Sequence, residues 1–208
     1  KNISLKVGII IAKLKSITDL TTCHLMKINR DGHTYFAIEE NFLSKQECES
    51  LIARVNAWNL SKVPAGIYNG WKTGGQLRDI GVPDVSWQSK FDEAFFKFNN
   101  MTYRFNLINK YSHFCNRYKG GYELDWHRDE DESVKDLFKR TPANRLSASV
   151  FLNEDFEGGE FELEGICYWK AKTGAAIFFP SGQMHRGKIV TSGTKYNYTI
   201  WRKGERGA

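Results

Sequence analysis

Cysteine is sparse and scattered in this chain. Its four cysteines, Cys23, Cys48, Cys115 and Cys167, form no C-x-x-C pair among 208 residues. That spacing argues against a structural zinc site, and a chain of this length needs no disulfide framework. The four are read as reduced thiols packing as small apolar residues, and the protein as cytoplasmic. Long apolar runs are missing too. The longest, Val7 to Ala12, falls far short of the about 18 residues that cross a bilayer, and no convincing small-residue cleavage site follows it. No membrane partner is expected. Behind the net charge of +6 there is no cluster of five or more basic residues. A basic balance permits a nucleic-acid partner, but without such a cluster nucleic acid is not the expected one.

What is present is a globular composition, 14% aromatic and 26% charged, sufficient for one sizeable core. Residues 1–25 read as an N-terminal extension and residues 26–208 as a single domain. Tyr35–Ile38 is a predicted strand. Ser44-Lys-Gln-Glu47 is a capping box, and Cys48, Leu51, Ile52 and Val55 then share one helical face. A glycine-rich loop is expected over Lys62–Pro83. Trp87, Phe91, Phe95 and Phe98 mark a second amphipathic helix whose aromatic stripe is core. Beyond Met101 the texture is β. Strands are predicted over Tyr103–Ile108, Tyr111–Tyr118, Glu123–Asp129, Arg145–Leu152, Glu160–Leu163, Ala175–Phe179, Gly187–Thr191 and Lys195–Arg202, with turns between them, Ser192-Gly193 included. Helices first and many short strands afterwards give an α+β fold, with the helices packed on one sheet of a β-sandwich. The charged, irregular stretch 129–144 is a candidate lid.

The chemistry gathers around His127-Arg-Asp129 and His185. On an extended strand, residues two apart project to the same face. Two imidazoles and one carboxylate are the protein ligands of a mononuclear non-haem Fe(II) oxygenase. Asp125 is a rival carboxylate on the same face. His24, His33 and His113 are read as structural or surface histidines. Along β-like Lys195–Arg202, Lys195, Asn197, Thr199 and Trp201 share one face, expected to line a pocket, with Tyr196, Tyr198 and Ile200 outside it.

Taken together, Tyr118-Lys-Gly-Gly121, His127-Arg-Asp129, Arg145–Asn153, Gly158-Gly-Glu-Phe161, Gly174–Pro180, His185, Gly193, Lys195 and Trp201 resemble the 2-oxoglutarate- and Fe(II)-dependent oxygenases, most closely their prolyl 4-hydroxylase branch, over roughly residues 111–203. The resemblance implies a double-stranded β-helix (jelly roll). It implies His127, Asp129 and His185 as iron ligands. Lys195 becomes the partner of the distal carboxylate of 2-oxoglutarate, with Arg186 and Lys188 as alternatives. Tyr118 and Thr199 become further co-substrate residues. Arg78, in the loop Gly70–Val82, and Trp201 would meet the substrate. Implied cofactors are Fe(II), 2-oxoglutarate and O2, with ascorbate as reductant. The implied partner is a protein or peptide containing proline, hydroxylated with release of succinate and CO2. Two positions depart from the pattern. Leu124 stands where many relatives carry an aromatic. Phe151 stands where the hypoxia-sensing prolyl hydroxylases use a Tyr for the distal carboxylate, leaving Thr199 or Tyr118 to take over that bond. The alternatives are an oxidative nucleic-acid demethylase of the same superfamily and a non-catalytic, cupin-like metal-binding module.

Overall fold

The computed structural model describes residues 27–31, 34–57, 66–68, 71–73, 76–78, 85–130, 142–165, 167–170 and 172–205. The expected extension over residues 1–25, most of the candidate lid, and His24 and His33 lie outside them.

Helix α1 (Lys45–Ala57) begins at the capping box. The Ser44 amide donates to Glu47 Oε2 at 2.7 Å and the Glu47 amide donates to Ser44 Oγ at 3.2 Å, satisfying donors that a first turn leaves open. Cys48, Leu51 and Val55 form its buried stripe. Helix α2 (Val85–Met101) buries Trp87, Phe91, Phe95 and Phe98. In its last turn the Asn99 side chain clamps Phe105, accepting from its amide and donating to its carbonyl, each at 2.9 Å. With Arg104 at a φ of 54°, this clamp makes residues 103–106 a turn, so the strand predicted from Tyr103 starts only at Leu107.

The strands of the described chain are β1 (Lys27–Asp31), β2 (Thr34–Glu39), β3 (Gly66–Tyr68), β4 (Trp71–Thr73), β5 (Gln76–Arg78), β6 (Leu107–Lys119), β7 (Leu124–His127), β8 (Ala143–Phe151), β9 (Phe156–Gly158), β10 (Phe161–Leu163), β11 (Cys167–Trp169), β12 (Ala176–Pro180), β13 (His185–Gly187) and β14 (Val190–Gly204). They pair antiparallel. The larger sheet runs β1-β2-β12-β8-β14-β6-β5, with β9 on the start of β14, and the smaller runs β11-β10-β13-β7. β3 and β4 form a hairpin inside what was expected to be a loop, and β5 extends the large sheet. The predicted turn at Ser192-Gly193 is absent. β14 runs through it on a bulge opposite β9, with Gly193 at a φ of 76°.

Among the described residues, two of the three hydrophobic clusters hold these layers. Phe36, Phe151, Phe161, Leu163, Ile177 and Phe179 fill the space between the sheets. The other face of the large sheet packs on the helices, where Phe91 meets Tyr198 and Phe95 meets Phe178 at ring distances of 5.7 and 5.5 Å. Central strands are thus buried on both faces, as β12 shows with four consecutive buried residues. Tyr198 and Ile200, expected outside the pocket, are indeed turned away from it, but into the helix core rather than into solvent. The result is the expected jelly roll with helices on one sheet.

Gly174 joins the two layers. It has a φ of +82°, and a Cβ there would fall on the carbonyl oxygen of Leu43, whose amide donates to the Gly174 carbonyl at 3.0 Å. Gly174→Ala is expected to destabilise the fold by about 2–3 kcal/mol, read as a lower urea midpoint at unchanged slope. A midpoint equal to wild type would refute this.

Candidate active site

The chain leaves β7 at His127, so Asp129 is not on the strand predicted for Glu123–Asp129. It sits in the bend that follows. Ser181 holds that bend: its carbonyl accepts the amides of Asp129 and Glu130 at 2.9 and 3.0 Å, while Asn144 Nδ2 donates to the Asp129 carbonyl at 2.9 Å. His127 and Asp129 therefore converge through a fixed bend, not through strand alternation. His185 on β13 lies opposite His127 on β7, with ring centroids 4.1 Å apart. His127 Nε2 is 3.6 Å from Asp129 Oδ1, and His185 Nε2 is 3.4 Å from Asp129 Oδ2. One donor atom from each of the three residues lies within 4.8 Å of the other two.

Each imidazole turns Nδ1 to a backbone carbonyl, His127 to Asp125 at 2.7 Å and His185 to Gln183 at 2.9 Å. A carbonyl only accepts, so Nδ1 carries the proton of the neutral ring and Nε2 presents its lone pair to the centre. Two such lone pairs and a buried carboxylate aimed at one point repel one another unless a cation lies between them. This donor set suits a divalent, iron-type ion. Burial pushes the Asp129 carboxyl up, but His185 and His127 outweigh it and hold it at about 2. Burial carries His185 down to about 4 against the pull of Asp129. Both groups are therefore in their metal-binding forms near neutrality. The Trp201 indole N–H helps keep Asp129 ionised but completes no hydrogen bond of ordinary geometry, so it acts there as a nearby dipole.

Sequence reasoning missed the groups that orient Asp129. Ser147 Oγ donates to Asp129 Oδ2 at 2.8 Å and lies 2.8 Å from Ser181 Oγ. The available signal is the alternation of Ser147 and Ser149 through an otherwise apolar, fully buried strand end. Ser147→Ala is expected to weaken Mn(II) binding about tenfold with the melting temperature of the metal-free protein unchanged, measured by titration. Equal affinity would sink this role.

A second pole lies along β14. Lys195 is buried, opposite Tyr118 of β6. Its ammonium donates to the Gly159 carbonyl at 2.7 Å and lies over the rings of Phe151 and Tyr118 at 4.9 and 5.7 Å. Among the described residues no carboxylate forms an ion pair with it. Burial lowers Lys195 to about 7, with Glu160 pulling the other way. Burial raises the Tyr118 phenol, and the Asp129 charge adds to this. Gly159 is constrained here: at a φ of +65°, a Cβ would press on Phe156 and on the Lys195 stem. A buried ammonium with one carbonyl partner is matched to an anion.

Thr199 and Trp201 follow Lys195 on the same face of β14, Thr199 opposite Ser149 and Trp201 opposite Ser147. The Trp201 ring packs edge-on against Phe114 at 4.8 Å. Arg78 lies on β5 opposite Phe114, which puts its backbone next to the strand that backs Trp201. The rivals are placed elsewhere. Asp125 is exposed and accepts the Trp126 amide at 2.8 Å. His113 stacks on Tyr198. Arg186 is committed to Glu162 at 2.7 Å and to the Trp126 ring. Lys188 is half-buried between β13 and β14.

Residues 113–203 match the sequence profile of the 2OG-Fe(II) oxygenase superfamily. Over this region, less than half of its length, the chain is similar to that superfamily. A PKHD-type hydroxylase of Hyphomonas neptunium is 34% identical over 91 residues, which cover 41% of this chain and 40% of the relative. The chain thus spans two fifths of that relative's length. Among solved structures, a viral collagen prolyl hydroxylase from Paramecium Bursaria Chlorella virus-1, determined as a 2OG complex, aligns with a TM-score of 0.62 at 22% identity, covering 82% of this chain and 96% of that one. A prolyl hydroxylase of Trichoplax adhaerens, in complex with a hypoxia inducible factor peptide fragment, aligns at 0.61 and 15% identity, covering 81% and 83%. At these identities the two structures share the fold.

Proposed function

We propose that this domain is a 2-oxoglutarate- and Fe(II)-dependent oxygenase that hydroxylates prolyl residues of a protein or peptide, releasing succinate and CO2. The observation that carries it is the pairing of two poles in one barrel: three convergent metal-type donors at one end, and the buried ammonium of Lys195 at the other. An oxo acid with a second carboxylate matches both poles at once. Fe(II), bound by His127, Asp129 and His185, would supply the O2 activation, coupled to decarboxylation of the oxo acid, that converts C–H to C–OH.

The protein's own residues bind, orient and exclude water. Lys195 neutralises the distal carboxylate, and Thr199 and Tyr118 border it. Phe179 and Phe161 pack against the His185 ring at 4.7 and 5.6 Å, keeping water from one side of the centre. Ser147 and the two backbone carbonyls fix the ligand rotamers, so little reorganisation accompanies binding. Trp201 and Arg78 are proposed to meet the peptide, and ascorbate to keep the iron reduced. The hydroxylase relative and the prolyl hydroxylase folds together support this reading.

The test is succinate formation from 2-oxoglutarate with Fe(II) and ascorbate, with and without proline-rich peptides, in wild type and His127→Ala. Peptide-stimulated succinate, with one oxygen atom added to proline by mass spectrometry and both lost in the variant, is the expected result. Succinate indifferent to every proline peptide would reject the substrate, and no succinate from folded, metal-loaded protein would reject the enzyme.

A further inference from the structure

Of the three metal-type donors, His127 ends β7 and His185 opens β13, and Asp129 alone lies off a strand. Strand β8 grips the Asp129 bend with three side chains. Ser147 Oγ donates to the Asp129 carboxylate at 2.8 Å, and Asn144 Nδ2 donates to the Asp129 carbonyl at 2.9 Å. Arg145, two residues before Ser147 on the same face of β8, reaches the next residue along. Its Nη1 donates to Glu130 Oε1 at 2.6 Å. The other Glu130 oxygen lies 3.0 Å from where a Cβ on Gly182 would sit. The carboxylate therefore fills the space beside Ser181, whose carbonyl already holds both amides of the bend.

The guanidinium is itself fixed from behind. Arg145 Nε and Nη2 donate to the Glu205 carbonyl at 3.1 and 2.9 Å, and the Glu205 amide donates to the Asn106 carbonyl at 2.9 Å. Gly204 lets these segments meet: a Cβ there would fall 2.7 Å from the Asn106 carbonyl oxygen and 2.9 Å from Arg145 Cγ. All three guanidinium nitrogens can only donate, so this orientation has no alternative assignment. The paired side chains keep 15% and 27% of their exposure, and a pair that open to water adds little to overall stability. Ser181 and Asn144 hold the backbone of the bend at two points, which leaves it a rotation about the line joining them. The Glu130 side chain supplies the third point.

We propose that Arg145 and Glu130 are positioning residues for the metal centre. Their ion pair fixes the tilt of the bend, and with it the angle of the Asp129 carboxylate to the two imidazoles, using the end of β14 as its anchor. The inference rests on the metal-binding part of the oxygenase reading given above. Ser147 acts on the carboxylate itself, whereas Arg145 acts through the residue that follows it.

The test measures Mn(II) dissociation constants by titration, and visible absorption of the Co(II)-loaded protein, for wild type, Glu130→Ala, Arg145→Ala and the double variant. Each single variant is expected to weaken Mn(II) about tenfold and to shift the Co(II) bands, which respond to ligand angle and which a merely structural loss leaves in place. The double variant should be no weaker than the weaker single one, because both residues act through one ion pair. Glu130→Ala is the independent probe should Arg145→Ala fail to fold. Wild-type affinity, or weakened affinity with unchanged bands, in the single variants would overturn the positioning role while leaving the metal site intact. Losses that multiply in the double variant would do the same. A wild type that binds neither Mn(II) nor Co(II) would instead remove the reading on which the inference stands.

Discussion

In His185→Ala, Mn(II) is expected to stop raising the melting temperature, and succinate formation is expected to fall to the level of the protein-free mixture. Wild type should gain about 2.7 kcal/mol of apparent stability from metal at a hundred times its dissociation constant. Removing a directly converging donor should weaken binding by more than the roughly 10- to 100-fold that loss of a supporting group produces, so that gain disappears at the same metal concentration. The metal-free variant should still fold, losing the ring's packing on Phe161 and Phe179 but relieved of one unfavourable contact. His185 Nε2 lies 3.4 Å from Asp129 Oδ2, and burial holds the ring neutral down to about pH 4, so near pH 7 a lone pair faces a carboxylate. Deleting it removes that repulsion, which offsets part of the lost packing. A variant that unfolds without metal, or one that keeps the metal-dependent shift, would contradict this account.

Lys195→Met is expected to weaken 2-oxoglutarate by about 100- to 1,000-fold, the range for truncating one partner of a buried ion pair, while leaving Mn(II) binding unchanged. The same substitution should stabilise the ligand-free protein. Lys195 titrates at about 7 in the fold, against an ordinary value of 10.5. Between those values the unfolded chain holds a proton that the folded chain does not. Stability therefore rises with pH across that window, and the penalty of the buried ammonium is greatest below pH 7. Wild type should be less stable than Lys195→Met at pH 6, with the gap closing towards pH 10.5, by urea unfolding. Co-substrate binding runs the other way. Above about pH 7 the dianion recruits a proton to Lys195, so affinity falls about tenfold per pH unit. Calorimetry in buffers of different ionisation enthalpy reads that uptake directly, and no uptake at pH 8 would refute it.

The parts of this molecule that were readable in its sequence are those whose signal is local. The Ser44–Glu47 box and the aromatic stripe from Trp87 to Phe98 specify their helices within a few turns. Lys195, Thr199 and Trp201 share a face because strand alternation is local as well. The misread parts are decided by partners distant in sequence. β9 and β11 are three-residue strands that exist because β14 and β10 pair with them. Ser192-Gly193 has turn chemistry, but pairing with β9 keeps it in the strand. Asp129 reaches the metal-type centre because Ser181, 52 positions later in the sequence, holds its bend. Ser147 lies in the matched stretch Arg145–Asn153, but its role appears only when β8 is placed beside that bend.

The two faces of β14 belong to different interiors. Lys195, Asn197, Thr199 and Trp201 look into the barrel, while Tyr198 and Ile200 are seated among the helices. One inserted or deleted residue between Thr194 and Arg202 would exchange these memberships, sending an ammonium into the helix core and a phenol into the barrel. This stretch of chain has a fixed length. Its barrel face can change by substitution alone, and changes in length have to be absorbed by the connections at either end.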